Sequence, residues 1–367
     1  MKILIITNHS YMLWRFRREL IQTLMEEHEV VLSMPFVGHE NDFQGLGLRC
    51  IETNVDRRGI NPKKDIQLLK TYNQLIENEK PNLVITYSIK PNVYAGLVCS
   101  RRKIPYFANV QGLGTAFQKP GLAQFVTLLY KAALHRAQGV FFENQANAEE
   151  FKKRHIISAD KQIVLNGAGI NLENYPYCEY PENKKFHFLY LGRIMREKGM
   201  DELFWAVKKL HQEGERFVLD LVGFFEDEYR EQVIELEKQG IAVFHGFSEN
   251  PKPYYEGADC VVMPSYHEGM SNVLLEAAAI GRPVITSDIP GCREAVEDGK
   301  TGLLAEVQNR ESLYEAMKKM LQLWKSERQA MGMAGCEKMK REFDKTTVVT
   351  ETVKALGLFE RNGVQGV

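Results

Sequence analysis

Two doubly wound α/β domains, each a parallel sheet covered by helices on both faces, are the fold class this sequence predicts. Three observations carry that reading. Short runs rich in Val, Ile and Leu alternate with stretches of helical period, the pattern of parallel strands buried on both faces. The alternation breaks once, at about residues 166–185, and then restarts. The chain of 367 residues is long enough for two domains, each with its own core.

In the first half, "KILIITN" reads as the opening strand, followed by a helix over 11–27. "EVVLSMP" and "RCIETNV" are the next strands, then come a helix over 63–79 and the strand "NLVITYS". A helix over 91–102 leads to "PYFANVQG", and one over 121–136 leads to "GVFFEN". "NGAGINLENYPYCEYPENKK" has Gly, Asn, Pro and Tyr without periodicity and reads as a linker. The second half repeats the rhythm: "HFLYLGRI", a helix over 200–212, "FVLDLVGF", a helix over 226–239, "AVFHGF", "CVVMPS", an apolar helix and "PVITSDI". Helices over 311–324 and 327–342 follow, with a further helical stretch beyond Thr346. The expected division is 1–166, a linker over 167–184, 185–345, and a C-terminal helical segment over 346–367 returning to the first domain. In such sheets ligands bind at the carboxyl ends of the strands.

Bulk composition excludes several classes. Hydrophobic residues make up 44% and charged residues 26%, as in soluble globular proteins. No apolar stretch approaches the roughly 20 residues of a membrane-spanning helix. "MKILIIT" reads as a strand, not a signal peptide. Six scattered cysteines without a CxxC spacing fit a reducing compartment, so a cytoplasmic location is expected. The net charge is −1, yet residues 1–180 carry 22 Lys and Arg against 17 Asp and Glu, while 181–367 carry 25 against 31. That imbalance does not make a nucleic-acid domain; it suits an anionic substrate or an anionic membrane surface.

The chemistry concentrates in "SYHEGMSNVLLEAAAIGRPV", residues 265–284, where Glu268 sits in a loop and Glu276 in an apolar helical run. A helix starting at about residues 270–272 supplies unpaired N–H groups and a positive dipole, a seat for a phosphate. Glu276 lies four residues after Asn272 and shares its face. Its carboxylate is placed to accept two ribose hydroxyls while the amides of Asn272 and Val273 hold the attached phosphate. Glu268 is placed to reach a sugar beyond that phosphate. The competing reading is a solvent-facing acid favoured by the helix dipole, worth about 0.3–1 kcal/mol. Glu268-Gly269 just before the helix, in a strand–loop–helix context, tips the balance to a ligand role.

"LGRIMREKG" adds cations, with the strand expected to end at Gly192 and Arg193 and Lys198 flanking a turn. A departing diphosphate gains charge as its bond breaks and needs fixed cations, for which Arg offers a planar fork and Lys a movable point charge. Such a loop alone is ordinary surface, and Arg196 reads that way. Its position at a strand end in the domain of Glu268 and Glu276 makes it specific.

With "GRIMREKG" and "HEGMSNVLLEAAAIGRPVI" together, the chain resembles the retaining glycosyltransferases of family 4, of the GT-B fold, in which two Rossmann-like domains face a central cleft. The resemblance is close over the C-terminal domain and loose over the N-terminal one. "EGMSNVLLEA" is similar to bacterial enzymes that extend lipid-linked surface oligosaccharides, many of which use UDP-N-acetylhexosamines. It implies that Arg193 and Lys198 hold the donor diphosphate, Glu268 the donor sugar and Glu276 the ribose. It places the amides of Ser271, Asn272 and Val273 against sugar or phosphate, with Gly269 and Met270 in the same loop. "VFHGF" matches the segment that frames the nucleobase, which brings in Phe244 and Phe247.

Two departures stand out. The first strand–helix loop reads "TNHSYMLWRFR" where many members have a glycine pair, so Asn8, His9 and Ser10 approach donor or acceptor differently; His9 reads equally well as a polar loop residue. Gln111 in "NVQGLG" stands where many members have a histidine. Glutamine cannot act as a general base but can orient a sugar or acceptor by hydrogen bonds. That suits a mechanism in which the departing phosphate takes the acceptor's proton.

On the first helix Leu13, Phe16, Leu20 and Leu24 form the expected core stripe, with Tyr11, Trp14, Arg15 and Arg18 opposite. Arg15 is thereby a candidate for positioning the acceptor. "LAQFVTLLYKAALHRA" is apolar nearly all round and reads first as a sandwiched helix, second as an interfacial contact for a lipid-borne acceptor. Arg57, Arg58 and Arg101 to Lys103 read as surface charge.

The expected activity is retaining transfer of a hexose or N-acetylhexosamine from a UDP-sugar to a glycan hydroxyl. The expected acceptor is polyprenol-diphosphate-linked, in surface polysaccharide or glycoprotein glycan assembly. No Asp-x-Asp pair lies beside the phosphate site, so no metal and no cofactor are expected. The partners expected are the nucleotide-sugar donor, the glycan acceptor and an anionic membrane surface at the inner face of the plasma membrane; no nucleic acid is expected. A GT-B nucleotide-sugar epimerase and a non-catalytic sugar-nucleotide binding subunit stand as alternatives.

Overall fold

The structure, a computed structural model, describes residues 1–56, 61–113, 117 and 120–358. Arg57 and Arg58 lie outside the described residues. The chain forms two compact units, Met1–Ala168 with the chain from Thr346 onward, and Gly169–Lys345.

The first unit runs β1 (Lys2–Ile6), α1 (Ser10–Met25), β2 (Glu29–Met34), α2 (Glu40–Gly45), β3 (Arg49–Glu52), α3 (Pro62–Glu79), β4 (Leu83–Tyr87), α4 (Ile89–Arg102), β5 (Tyr106–Val110), α5 (Pro120–Leu134), β6 (Gly139–Phe142), α6 (Gln145–Lys153) and β7 (Gln162–Val164). The strands form one parallel sheet in the order β3-β2-β1-β4-β5-β6-β7. Alternation along β1 divides the core: Ile3 and Ile5 join one apolar cluster, Leu4 and Ile6 the other. Val348, Val349 and Leu356 join the cluster of Ile3 and Ile5. They belong to the last helix and the residue just after it, so the C-terminal segment packs on this sheet.

The second unit runs β8 (Phe186–Ile194), α7 (Met200–Gln212), β9 (Phe217–Phe225), α8 (Arg230–Lys238), β10 (Ala242–Gly246), α9 (Lys252–Gly257), β11 (Cys260–Met263), α10 (Asn272–Ile280), β12 (Val284–Ser287), β13 (Gly302–Ala305), α11 (Arg310–Gln322) and α12 (Lys325–Glu342); the closing helix is α13 (Lys345–Ala355). Its sheet is parallel in the order β10-β9-β8-β11-β12-β13. Each sheet thus has a topological switch point, between β1 and β4 and between β8 and β11, where the crevice for a ligand opens.

Several expectations are corrected. On α1 the buried positions are Ser10, Leu13, Arg17, Leu20, Ile21 and Leu24, while Phe16 is half-buried. Arg17 replaces it inside because its guanidinium pairs with Glu143 at 2.6 Å and lies 5.5 Å over the Tyr87 ring. The face of Tyr11, Trp14, Arg15 and Arg18 is not open. Trp14 stacks on His39 at 5.5 Å and meets the Phe43 ring edge-on at 5.1 Å, so α2 and its preceding loop cover part of it. Helix α5 is not sandwiched all round: Val126, Tyr130 and Leu134 are buried, but Phe125 and Leu128 are 46% and 65% exposed.

The segment expected as a linker packs on the second unit from Gly169 onward. Ile170 enters that unit's core, the Cys178 amide donates to the Ile280 carbonyl at 3.0 Å, and the Tyr180 hydroxyl donates to the Asp259 carbonyl at 2.8 Å. Strand β8 does not end at Gly192. It runs through Arg193 because Gly192 and Gly223 face each other in register at φ +153° and +151°, and a Cβ on Gly223 would sit 1.8 Å from the Gly192 carbonyl oxygen. No helix among the described residues is long and apolar enough to cross a membrane.

Candidate functional site

The switch point of the second sheet is built by two loops, one leaving β8 and one leaving β11. Gly199 ends the first at φ +74°, and a Cβ there would lie 2.1 Å from the Pro264 carbonyl oxygen. Only glycine permits that approach, which draws the turn of Arg196 to Lys198 onto the end of β11. The Tyr266 amide donates to the Glu197 carbonyl at 2.9 Å, tying the same loops together, and the Tyr266 hydroxyl donates to Glu202. The result is a direct ion pair between the Lys198 ammonium and the Glu268 carboxylate, both about 85% buried. Gly291, at φ +87°, supports the Glu268 loop from beneath: a Cβ there would meet the Gly269 carbonyl oxygen at 2.5 Å. The Ser271 amide donates to the Gly291 carbonyl at 2.8 Å.

Helix α10 begins directly after this loop, with Ser271 at its N-cap and its carbonyl accepting from the Leu274 and Leu275 amides. The amides of Asn272 and Val273 fall in the first turn, where a helix has no internal acceptor. Both residues are half-buried; Met270 and Ser271 are buried and Gly269 half-buried.

Glu276 is 4% exposed, which removes the solvent-facing reading. Its carboxylate accepts from the Tyr255 hydroxyl at 2.8 Å, and Tyr255 is fully buried on α9. Arg282 in turn holds α9: fully buried, it donates to the carbonyls of Tyr255 and Glu256 at 3.0 Å and to those of Cys178 and Glu179 at 3.0 and 2.8 Å. A charge so far from water needs satisfied bonds on every side, and here backbone carbonyls provide them. Tyr255 was not singled out from the sequence. "NPKPYYEG", with two prolines in four residues, hides a helix of only six residues.

Arg193 is the more open cation, its side chain 44% exposed and paired with Glu226 at 2.6 Å. It therefore stands apart from the Lys198–Glu268 pair, each cation with its own acid. Tyr190 underlies both: its hydroxyl donates to the Arg193 carbonyl at 2.5 Å. Burial drives its phenol well above the usual range, the Glu268 charge adds to the rise and Arg193 opposes it.

At the outer strand ends Phe247 is 57% exposed and meets Phe224, 47% exposed, with ring centres 6.2 Å apart. Phe244 turns inward onto Phe225, centres 4.8 Å apart. A register shift at His245 separates the two orientations. On the same sheet Asp220 accepts from His187 and His245, each at 2.7 Å.

In the first unit, Asn8 follows β1 and Gln111 follows β5. They line one cavity of about 230 Å³ with Ser88, Lys90, Asn92 and Asn109. His9 and Arg15 are not among its lining residues. His9 occupies the N-cap position of α1, its amide donating to the Thr7 hydroxyl at 3.3 Å, and Arg15 donates to the Tyr11 hydroxyl at 3.5 Å.

Two family models match the chain, "Glycosyl transferase 4-like" over residues 2–144 and "Glycosyl transferases group 1" over 185–323. The fold, two parallel-sheet α/β units, has counterparts among solved structures. That of Anabaena Alr3699/HepE in complex with UDP superposes with a TM-score of 0.79 at 16% identity, covering 98% of this chain and all of that one. A sucrose-phosphate synthase from Thermosynechococcus elongatus superposes with a TM-score of 0.76 at 20% identity, covering 96% of this chain and 98% of that one. The chain belongs to the family 4-like glycosyltransferases of the GT-B fold. Among its relatives is the N,N'-diacetylbacillosaminyl-diphospho-undecaprenol alpha-1,3-N-acetylgalactosaminyltransferase of Campylobacter jejuni, 27% identical over 88% of this chain and 90% of that one. Another is the capsular polysaccharide biosynthesis glycosyltransferase CapM of Staphylococcus aureus, 25% identical over 79% and 81%.

Proposed function

We propose that this glycosyltransferase moves a hexose or N-acetylhexosamine from a UDP-sugar, with retention of configuration, to a hydroxyl of a polyprenol-diphosphate-linked glycan. The observation that carries this reading is the Lys198–Glu268 pair held beside the start of α10 at the carboxyl ends of β8 and β11. Lys198 and the α10 amides bind the diphosphate, and Arg193 meets it from the more open side. Glu268, steadied by Lys198, accepts from hydroxyls of the donor sugar. Glu276, aligned by Tyr255, accepts from the ribose, and Phe247 with Phe224 borders the base. Lys198 and Arg193 together carry the charge compensation that a divalent ion provides elsewhere, so turnover is metal-independent and survives chelation. The names of the relatives support a lipid-linked acceptor and a surface glycan product.

The test is a panel of UDP-sugars read by nucleotide release with lipid-linked acceptors, with and without EDTA. Acceptor-dependent UDP release supports transfer. An epimerised UDP-sugar without acceptor would identify an epimerase, and binding without turnover a non-catalytic subunit. Loss of activity on chelation, restored by magnesium, would overturn metal independence.

A peripheral membrane contact forms part of the same reading. Its support is the α5 face bearing Phe125 and Leu128, together with Lys131 and Arg136; Arg136 donates to the Ser100 carbonyl, next to Arg101 to Lys103. A few basic residues worth about 1 kcal/mol each hold a protein loosely at an anionic leaflet, in a salt-dependent way. Cosedimentation at low salt with anionic but not neutral vesicles, lost in Phe125→Ser/Leu128→Ser, is expected; equal binding to both vesicle types would remove this part.

A further inference from the structure

We infer that Glu226 is a specificity-determining residue of the donor seat: its carboxylate offsets part of the Arg193 charge, so that UDP, the more highly charged product, gains little hold over the UDP-sugar that brought it. This rests on the proposed donor site and adds to it a reason why the spent nucleotide leaves.

The loop after β9 is fastened to the end of β8. Ile194 and Phe225 form the last rung between the two strands, and the amides of Glu226 and Asp227 both donate to the Ile194 carbonyl, at 3.1 and 3.4 Å. The Asp227 carboxylate accepts from the Arg196 amide at 2.8 Å, and the Tyr229 hydroxyl donates to Asp201 at 2.8 Å. With its backbone held in this way, Glu226 accepts from the Arg193 guanidinium at 2.6 Å. The acid is the more buried partner, 17% exposed against 44%. It is therefore the guanidinium, with five N–H donors to share, that faces solvent and an arriving ligand.

A seat for a diphosphate would be expected to carry surplus positive charge, and this one does not. Residues 193–202 and 226–229 hold three cations, Arg193, Arg196 and Lys198, against six acids. Both cations assigned to the diphosphate are in ion pairs, and Arg196 lies 3.6 Å from Asp201. An anion therefore binds by sharing cations that acids already hold, and each further negative charge on it meets a carboxylate as well as a cation.

The charge of the nucleotide changes during transfer. In the donor the β-phosphate is esterified and carries about one charge; in UDP it is a terminal phosphate with about 1.5–2 charges at pH 7. A fixed carboxylate beside Arg193 therefore acts against the product more strongly than against the donor.

The test is calorimetric titration of the full chain with UDP, with the β-methyl ester of UDP, which has the donor's diphosphate charge but no sugar, and with inorganic pyrophosphate. Glu226→Gln keeps the shape and the amide bond to the Ile194 carbonyl and removes the charge. UDP is expected to bind it about three- to tenfold tighter, the range Coulomb's law gives for one unit charge a few ångström from a solvated anion. The methyl ester should gain only about two- to threefold, because its β-phosphate carries about half the charge. Glu226→Asp, which keeps the charge, should hold both ligands within about twofold of the unaltered protein. An equal change for UDP and its ester, which a merely structural role would give, would overturn the inference, as would an unchanged or weakened UDP affinity in Glu226→Gln. Pyrophosphate keeps failure of the donor reading distinct. Tighter pyrophosphate binding in Glu226→Gln, with no UDP binding to any variant, would refute the nucleotide seat while supporting the charge offset at Arg193; absence of both responses would overturn both.

Discussion

The two units share one order over six strands but finish those strands with different chemistry. At the first switch point the described lining mixes amides and a hydroxyl with Ile89, Val110 and Tyr130, and its Lys90 is paired with Asp65. At the second, two cations stand at strand ends, each in its own ion pair, beside a helix start that leaves amides unpaired. The same topology therefore ends in an amide-bearing cavity with one buried ion pair in the first half, and in two ion pairs beside a helix start in the second, the more charged half. What differs is a handful of side chains after β1, β4, β5, β8 and β11, the places where an α/β sheet accepts change without disturbing its core.

The largest expected effect breaks the charged half. Lys198→Ala should lower turnover by about 10²–10³, the range for losing one preorganised stabiliser of developing charge. Arg193→Ala should cost less, because that cation is 44% exposed and screened, and Lys198 about 15%. Steady-state rates with a saturating donor decide between them, and equal losses would mean that burial does not rank the two cations.

A smaller effect sharpens the same half. Glu276→Gln keeps shape but loses charge-assisted bonds worth roughly 1.5–3 kcal/mol, so UDP affinity should fall about tenfold or more. Tyr255→Phe removes only the hydroxyl that aligns Glu276, and about two- to fivefold is expected. If Tyr255 positions Glu276 for the ribose, the variant's loss should vanish with 2′,3′-dideoxy-UDP. A loss of the same size with both nucleotides would make Tyr255 merely structural.

The smallest effect concerns stability. The hydrogen bond to Asp220 raises the His187 pKa above 6.5, against a smaller opposing effect of burial. Burial would raise the Asp220 carboxyl, but the bonds from His187 and His245 outweigh it and hold it below 3.8. The His187 contribution is therefore full below pH 6.5 and fades as pH rises through its folded value. The Asp220 contribution is present above pH 3.8 and fades as pH falls through its own folded value. Melting of His187→Gln against the unaltered protein should differ more at pH 5.5 than at pH 8.5; a gap that widens at alkaline pH would contradict the pairing.

Much of this was legible in the residues. The alternation of buried runs foretold two parallel sheets, and the spacing of Asn272 and Glu276 put both on one short helix. What stayed hidden depends on distant backbone. Lys198 meets Glu268 only because Gly199 lets one turn touch Pro264, a close approach that no local pattern records. That Glu276 is buried and held by Tyr255 appears only once α9 is in place. Trp14 and Arg18 read as an open face until α2, too short for periodicity, covers part of it. The apparent linker lacked a period, yet Ile170 and Tyr180 bury themselves in the second unit.

The central claim is that nucleotide diphosphate is held by the strand ends of the second unit, beside the start of α10, and not by those of the first. Calorimetric titration of UDP into the unaltered protein, Lys198→Met and Lys90→Met tests it most directly. The account predicts UDP binding lost or weakened at least tenfold in Lys198→Met and kept within about twofold in Lys90→Met, as expected when a charge-assisted bond is removed from one site only. Equal weakening in both variants, or a loss confined to Lys90→Met, would contradict it.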